Sequence, residues 1–431
     1  MKIYIDSNKT KSTIKPIHGV GQAPFFGTDF SMVRYLKDVG IPYSRLHDVG
    51  GYYGGFRFVD IPNIFRDFNA DPYDAKSYDF TFTDMLISAL VENCVEPFFR
   101  LGVTIENDAK IKAYRIYPPA DYKKWAIVCE HIIRHYTEGW ADGFYHNIKY
   151  WEIWNEPDNY EDIYENQMWR GTKEQYYELY RVASKHLKAK FPHLKIGGYG
   201  SCGFYAITEA FISGANSSPR SQYFIEFFDG FIDYIKANDC PFDFFSWHSY
   251  DGVENNRKYI DYARERLDAA GYKDTELICN EWNLEIHERG NARHASLICA
   301  MLLAFQNSHL DSAMFYDAQW GVCIYGSMFE PNTAKPYPAY YAFMAFNELY
   351  KMGEQIELNI DGEGIYGAAA KCGENACILL SNPSANDVEI NLHMDGKIEK
   401  CIITCEGKTY EEIEFANVIP QNSFVLLYAK I

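Results

Sequence analysis

The sequence predicts an α/β protein, a (β/α)8 TIM barrel with a small accessory antiparallel β-sandwich domain, and three observations point there. From Ile17 to about Trp320, short apolar runs alternate with amphipathic helical stretches, as repeated βα units around a parallel sheet require. Within that stretch two apolar strands end on a glutamate, in YWEIWNEPDN (150–159) and in ELICNEWN (276–283). After about Glu354 the helical period disappears and short β-type runs separated by turn residues take over.

Eight strands can be placed for the barrel, around His18–Gly21, Tyr43–His47, Glu96–Gly102, Tyr150–Glu156, Leu194–Tyr199, Phe242–Tyr250, Glu276–Trp282 and Ser312–Trp320. Between them, helices are expected near Thr83–Asn93, Asp121–Thr137, Asn256–Ala270 and Ala292–Ser308. Another begins at a capping box of Thr172 and Gln175 and carries Tyr176, Leu179, Tyr180, Ala183 and Leu187 on one face. KPYPAYYAFMAFNELYKMG reads as the last barrel helix. Beyond it Ala376–Ser381, Asp387–His393, Lys400–Thr404 and Ser423–Tyr428 read as strands, and Cys401 and Cys405 share one strand face. The isolated strand Lys2–Ile5 is expected to join them. The division is therefore an N-terminal strand in 1–15, a barrel in 16–352 and an accessory β-sandwich in 353–431, within the reach of a 431-residue chain.

Composition narrows the function. Apolar residues at 47% and charged residues at 23% describe a globular chain, neither disordered nor fibrous. A formal charge of −18 with a pI near 5.1 would repel nucleic acid and anionic membrane surfaces, so neither is expected as a partner. The start, MKIYIDSNKT, lacks a secretory apolar run, and the longest apolar helix candidate, Ala295–Phe305, is too short to span a bilayer. A cytoplasmic enzyme is the expectation. Eleven scattered cysteines read as reduced thiols. The 12 histidines show no HxH or HExxH spacing, so no metal or other cofactor is called for.

The chemistry is in the two glutamates. Glu156 and Glu281 end candidate strands four and seven, at the barrel face where such folds keep catalytic groups. A pair of carboxyls across one bond is what glycoside hydrolysis needs: one protonates the leaving oxygen while the other attacks the anomeric carbon. Either glutamate alone could be a helix cap or an arginine partner, but the joint placement favours catalysis, with Glu156 as acid/base and Glu281 as nucleophile. His47, His248 and Tyr250 end neighbouring strands and are candidate sugar contacts, and Trp320 is a candidate stacking wall, with core packing the alternative for each.

Through SRLHD, YDFTFTDMLISALVENCVEPFFRLG, WEIWNEPDN, FDFFSWHSY, ICNEWN and KPYPAYYAFMAFNEL the chain resembles glycoside hydrolase family 39 over most of its length. The resemblance gives Glu156 and Glu281 the roles just argued and places His47, Asn155, His248 and Tyr250 at sugar-binding positions. It implies a retaining glycosidase, most specifically an exo-acting β-xylosidase-like enzyme with a carbohydrate substrate, and bacterial members often form homo-oligomers. The alternatives are a glycosidase of the same fold for a uronide, arabinoside, glucoside or galactoside, and a non-catalytic carbohydrate-binding barrel. Two departures bear on the substrate. Asn280 and Trp282 flank the nucleophile unusually, and Arg100 stands where an acidic residue is common, so that an arginine reaching the pocket would favour an acidic sugar.

Overall fold

The computed structural model describes residues 1–49, 58–106, 115–208, 218–320, 324–326 and 328–431. A first strand, β1 (Lys2–Thr13), precedes eight strands that close into a parallel barrel in chain order: β2 (Gly19–Gly21), β3 (Tyr43–Leu46), β4 (Glu96–Leu101), β5 (Tyr150–Ile153), β6 (Lys195–Ser201), β7 (Phe244–Ser249), β8 (Glu276–Trp282) and β9 (Ser312–Phe315). Closure comes from β2 pairing in parallel with both β3 and β9. The β5 and β9 strands stop short of the expected Glu156 and Trp320.

Strand alternation divides the core. Phe99, Trp151, Phe245, Cys279 and Phe315 face outward into the large cluster beneath the helices. Their sequence neighbours Phe98, Tyr150, Phe244, Ile278 and Met314 form a separate cluster with Tyr43, which fills the barrel interior at the start of the strands. Two residues further along the same inner faces come Arg45, Arg100, Glu152, Ser246 and Asn280, all buried. An apolar floor therefore carries a polar layer, and the polar layer carries the strand ends.

Most helices lie where the periodicity put them, and Thr172 and Gln175 close the expected capping box. The helix Pro219–Ala237 was not anticipated, because PRSQYFIEFFDGFIDYIKA is rich in aromatics and interrupted by Gly230. Its Phe224, Phe227, Phe228, Phe231, Ile232 and Ile235 are nonetheless spaced for one buried face. Gly230 leaves the room that Tyr177 occupies, since a Cβ there would sit 2.8 Å from the tyrosine hydroxyl. Among the described residues no helix is long and apolar enough to cross a membrane.

The accessory part is one eight-stranded sheet, with a two-stranded ribbon beside it. Its strands are β10 (Glu354–Ile360), β11 (Tyr366–Cys372), β12 (Asn375–Asn382), β14 (Asn391–His393), β15 (Lys397–Cys405), β16 (Lys408–Ile413) and β18 (Ser423–Lys430), joined by β1 in the order β14-β1-β10-β11-β12-β18-β15-β16. Pairing is antiparallel except between β1 and β14. The run read as one strand, Asp387–His393, divides into β13 (Val388–Glu389), which pairs with β17 (Val418–Ile419), and β14 on the edge of the larger sheet. Cys377, Leu379, Phe424 and Leu426 pack into the barrel's cluster, while Ile378, Leu380, Val425 and Leu427 build a core of their own. Both faces of the central strands are thus apolar.

The helix Ala292–Gln306 lies between barrel and sheet, which is why it is apolar nearly all round. Its C-terminal end is capped from the N-terminal segment, for Lys15 Nζ donates to the carbonyls of Phe305 (3.0 Å), Ser308 (2.8 Å) and Leu310 (2.6 Å). Burial pushes the Lys15 ammonium down to about 8, although the charge of Asp311 opposes it. A Lys15→Met variant keeps the stem but takes the ammonium donor from three carbonyls, of which Phe305 keeps the Ser308 hydroxyl as another donor. We expect it to lose about 2 kcal/mol of stability, read as a lower urea midpoint; an unchanged midpoint would refute the capping role.

Candidate active site

The polar layer is organised by Glu152, a fully buried carboxylate inside the barrel. Its Oε2 accepts from Arg45 Nε (2.8 Å) and Nη2 (2.7 Å), and its Oε1 from Ser246 Oγ (2.6 Å) and Asn280 Nδ2 (2.5 Å). Thus fixed, Arg45 turns its remaining donors upward: Nη1 to Glu281 Oε1 (2.6 Å) and Nη2 to Asn155 Oδ1 (2.5 Å). Burial alone would depress the Arg45 pKa, but the charges of Glu152 and Glu281 outweigh it and leave it raised, so the cation persists.

Local backbone geometry aims the two glutamates. Between β7 and β8 the register slips by one, pairing Trp247 with Cys279 but His248 with Glu281. Through this irregularity Asn280 and Glu281, adjacent in sequence, both reach the interior groups just named. At the end of β5, Trp154 (φ 74°) and Glu156 (φ 43°) adopt left-handed backbone, which costs an L-residue about 1–2 kcal/mol. The turn is tied by Glu156 N–H to the Gly200 carbonyl (3.0 Å) and by Asp158 accepting from Ser201 Oγ (2.6 Å). Gly200 (φ +60°) passes directly under the cluster, where a Cβ would lie 3.0 Å from both Arg45 Nη2 and Asn155 Oδ1.

Glu281 accepts from Tyr250 Oη at Oε2 (2.8 Å), and His248 Nδ1 stands 3.4 Å from the same oxygen. Burial, and then the Glu281 charge, hold the Tyr250 phenol well above its ordinary pKa, so it stays a donor. Glu156 accepts at Oε1 from His248 Nδ1 (2.8 Å) and at Oε2 from Asn159 Nδ2 (2.8 Å). An oxygen of Glu156, a nitrogen of His248 and an oxygen of Glu281 all lie within 4.8 Å of one another. Burial raises the Glu156 carboxyl, but the hydrogen bond and charge of His248 outweigh it and bring it below the ordinary value. For His248, burial is outweighed by the charges of Glu281 and Glu156, so its pKa is raised. One proton is therefore held on His248 against an ionised Glu156.

Above these groups opens a cavity of about 330 Å³, lined by His47, Asn155, Glu156, Tyr250 and Glu281 among others. Of the candidates read from sequence, His248 lies just beneath this wall, bridging the glutamates. Trp320 is not among the described lining residues: its indole donates to the Pro331 carbonyl (3.1 Å) and meets Phe26 edge-on. Tyr205, Phe224, Tyr316 and Tyr325 supply the aromatic wall instead. Arg100 does not reach the cavity. It is fully buried, paired with Asp60 (2.7 Å) and donating to His47 Nδ1 (3.1 Å), which removes it as a determinant of an acidic sugar.

Sequence reading missed Glu152, Asp48 and Arg220. A lone acid between aromatic and aliphatic neighbours in YWEIW is the signal for Glu152, since a charge on a buried strand needs a partner. Asp48 lines the cavity beside His47; its Oδ2 accepts from Tyr316 Oη (2.9 Å), which accepts in turn from Gln22 Nε2 (2.8 Å). Burial, then the nearby Glu281 charge, push Asp48 up to about 7.

A closed parallel barrel bearing two convergent strand-end carboxyls is the architecture of a barrel hydrolase. The chain belongs to glycosyl hydrolases family 39, whose model matches residues 26–274; the matched stretch contains Glu156 and ends before Glu281. A β-xylosidase of Geobacillus stearothermophilus is 24% identical over 229 residues, covering 50% of this chain and 40% of the relative. Another, of Caldicellulosiruptor saccharolyticus, is 27% identical over 221 residues, covering 49% and 37%. This chain thus matches less than half the length of these relatives. Among solved structures, a glucosidase from Croceicoccus marinus superposes with a TM-score of 0.76 at 20% identity, covering 100% of this chain and 98% of that one. A monomeric β-xylosidase from Caulobacter crescentus CB15 gives 0.66 at 16% identity, covering 99% of each. At such identities the likeness shows a shared fold.

Replacing Glu152 by Gln would leave the buried Arg45 without its main counter-charge. We expect a loss of about 3–5 kcal/mol in urea unfolding, against about 1 kcal/mol for Ser246→Ala. Comparable small losses in both variants would show that Glu152 does not organise the layer.

Proposed function

We propose that the protein is a retaining glycoside hydrolase acting on the non-reducing end of xylosides, with Glu281 as nucleophile and Glu156 as acid/base. The observation that carries the mechanism is the separation of under 4.8 Å between oxygens of the two glutamates. Retaining enzymes keep their carboxyls about 5–5.5 Å apart, whereas inverting ones leave about 6.5–9.5 Å for a water. The donors divide the roles in the same way. Glu281 accepts from the Arg45 guanidinium at one oxygen and the Tyr250 hydroxyl at the other, which hold its carboxyl in one orientation for attack.

Glu156 has a proton one hydrogen bond away on His248 Nδ1. As the glycosidic bond breaks, Glu156 delivers a proton to the leaving oxygen and Glu281 forms the glycosyl ester. The proton delivered comes from His248 through Glu156, which is left ionised beside a neutral imidazole; Glu156 then takes a proton from water as that water attacks the anomeric carbon, and passes it back to His248 as Glu281 leaves the sugar and regains its charge. Asn155, held by Arg45 at its carbonyl, presents its amide NH2 for a hydroxyl next to that carbon.

Support for a neutral glycon is electrostatic. The Glu281 carboxylate lines the cavity and would repel a uronate beside it, to which Asp48, pushed up to about 7, adds part of a charge near neutral pH. A cavity of about 330 Å³ lies at the small end of ligand sites, roughly 300–1,000 Å³, which suits a terminal sugar with the start of its leaving group better than an internal stretch of polymer. The two relatives named β-xylosidase support xylose in particular.

The test is a screen of aryl xylosides, arabinosides, glucosides, galactosides and uronides, followed by azide rescue on the best substrate. Glu156→Ala should accumulate glycosyl-enzyme and, with azide, yield a glycosyl azide of retained configuration. Glu281→Ala should lose turnover by at least about 10³-fold and yield the inverted azide. Swapped products would reverse the assignment, and full activity in either variant would remove it.

A further inference from the structure

The cavity wall is electrically lopsided. Asp48 and Glu281 line one side, and burial with the charges of Arg100 and Arg45 holds His47 neutral between them. On the other side, with Glu156, stand Asn159, Cys202, Ser218, Ser221, Phe224 and Arg220. Among the described lining residues Arg220 is the one arginine or lysine.

Its guanidinium is held in place without being neutralised. Nε donates to the Asn159 carbonyl (2.7 Å), and the group lies over the ring of Tyr160 (4.3 Å) and near that of Phe224 (5.2 Å). Arg45, Arg100, Arg134, Arg181 and Arg266 each pair with a carboxylate, whereas Arg220 pairs with none among the described residues. Among the described residues neither Nη1 nor Nη2 has a hydrogen-bond partner. Arg34, Arg170 and Arg289 also have no carboxylate partner among the described residues, but of these arginines only Arg220 lines the cavity, where its charge reaches Glu156.

Which part of the substrate meets it follows from the chemistry. The acid/base must touch the glycosidic oxygen, the first atom of the leaving group, so the leaving group extends past Glu156 away from Glu281. That is the side where Arg220 lies. We propose that this wall is the aglycone subsite and that Arg220 selects leaving groups bearing a carboxylate, by charge-assisted hydrogen bonds from its free edge. The inference rests on Glu156 being the acid/base. It joins a neutral glycon to an acidic aglycone, whether a uronic acid residue or an aromatic acid.

Two matched pairs test it, each carrying the glycon cleaved fastest in the aryl glycoside screen. The aromatic pair is the glycoside of 3-carboxyphenol and that of 3-carbamoylphenol; the sugar pair is the disaccharide on glucuronic acid and that on glucose. The wild-type enzyme should favour the carboxylate member by roughly three- to ten-fold in kcat/KM at low salt, and the preference should shrink as salt rises. In Arg220→Gln the ratio should fall to about one, and Arg220→Lys should keep part of it, with thermal melts confirming that both fold. A preference in one pair alone identifies the source of the carboxylate. A wild-type ratio of one or less in both pairs, or a preference that survives in Arg220→Gln, would overturn the proposal while hydrolysis of the neutral members left the glycosidase reading intact. Failure to cleave any member would overturn both.

Discussion

The site depends on the ion pair between Arg45 and Glu152, closed inside the barrel with 1% and 0% of the side chains exposed. Two buried charges would each cost several kcal/mol if left alone. The sequence meets this cost with four donor contacts on Glu152 and with a guanidinium whose planar fork serves three acceptors at once. Lysine could not do so, because its ammonium lacks that fixed fork. The pair is anchored below by an apolar floor from six strands of the barrel. Above it the nucleophile candidate Glu281 and the amide of Asn155 are positioned by the same residue, so that stability and function share one support.

Around that support the remaining charges are set against each other. His248 sits between two carboxylates and holds a proton that burial alone would remove. Arg100, a second buried cation, is balanced by Asp60, which also takes the backbone N–H and hydroxyl of Thr104. Arg100 in turn fixes His47 by donating to its Nδ1, leaving Nε2 facing Asp48 (3.2 Å) and Glu281 (3.9 Å). The cavity therefore has the carboxyls of Asp48 and Glu281 in its wall and, beside Glu156, the guanidinium of Arg220. Chemistry and selectivity follow from where the charges are balanced and where they are not.

Much of this was legible in the sequence, for reasons that can be named. The barrel strands announce themselves because both faces are apolar and their spacing is filled by amphipathic helices. Glu156 and Glu281 stand out because each interrupts such a strand at its carboxyl end. The accessory strands β10, β11 and β16 were less legible, since GEQIELNI, YGAAAKC and KTYEEI mix polar and small residues; β10 is set by its neighbours β1 and β11, and β11 and β16 by the helices packed on them, Ala292–Gln306 and Pro338–Met352 on β11 and the latter on β16. The assembly of the polar layer beneath Glu281 was hidden for a different reason. Arg45, Glu152, Ser246 and Asn280 come from four strands up to 235 positions apart, and the register slip that brings Glu281 inward beside Asn280 leaves no mark on the hydrophobic pattern. Arg100 shows the limit plainly: its identity is visible, but whether it meets a substrate or Asp60 is decided by the closure of the barrel.

The central claim is that Glu281 attacks the anomeric carbon while Glu156 moves the proton. Trapping tests it most directly: incubation with a 2-deoxy-2-fluoro glycosyl fluoride of the preferred sugar, whose fluorine slows turnover of the ester, then peptide mass spectrometry. The account predicts time-dependent inactivation with a single fluoroglycosyl group on Glu281. A label on Glu156, or on any other residue, or no covalent adduct while the native substrate gives product of inverted configuration, would contradict it.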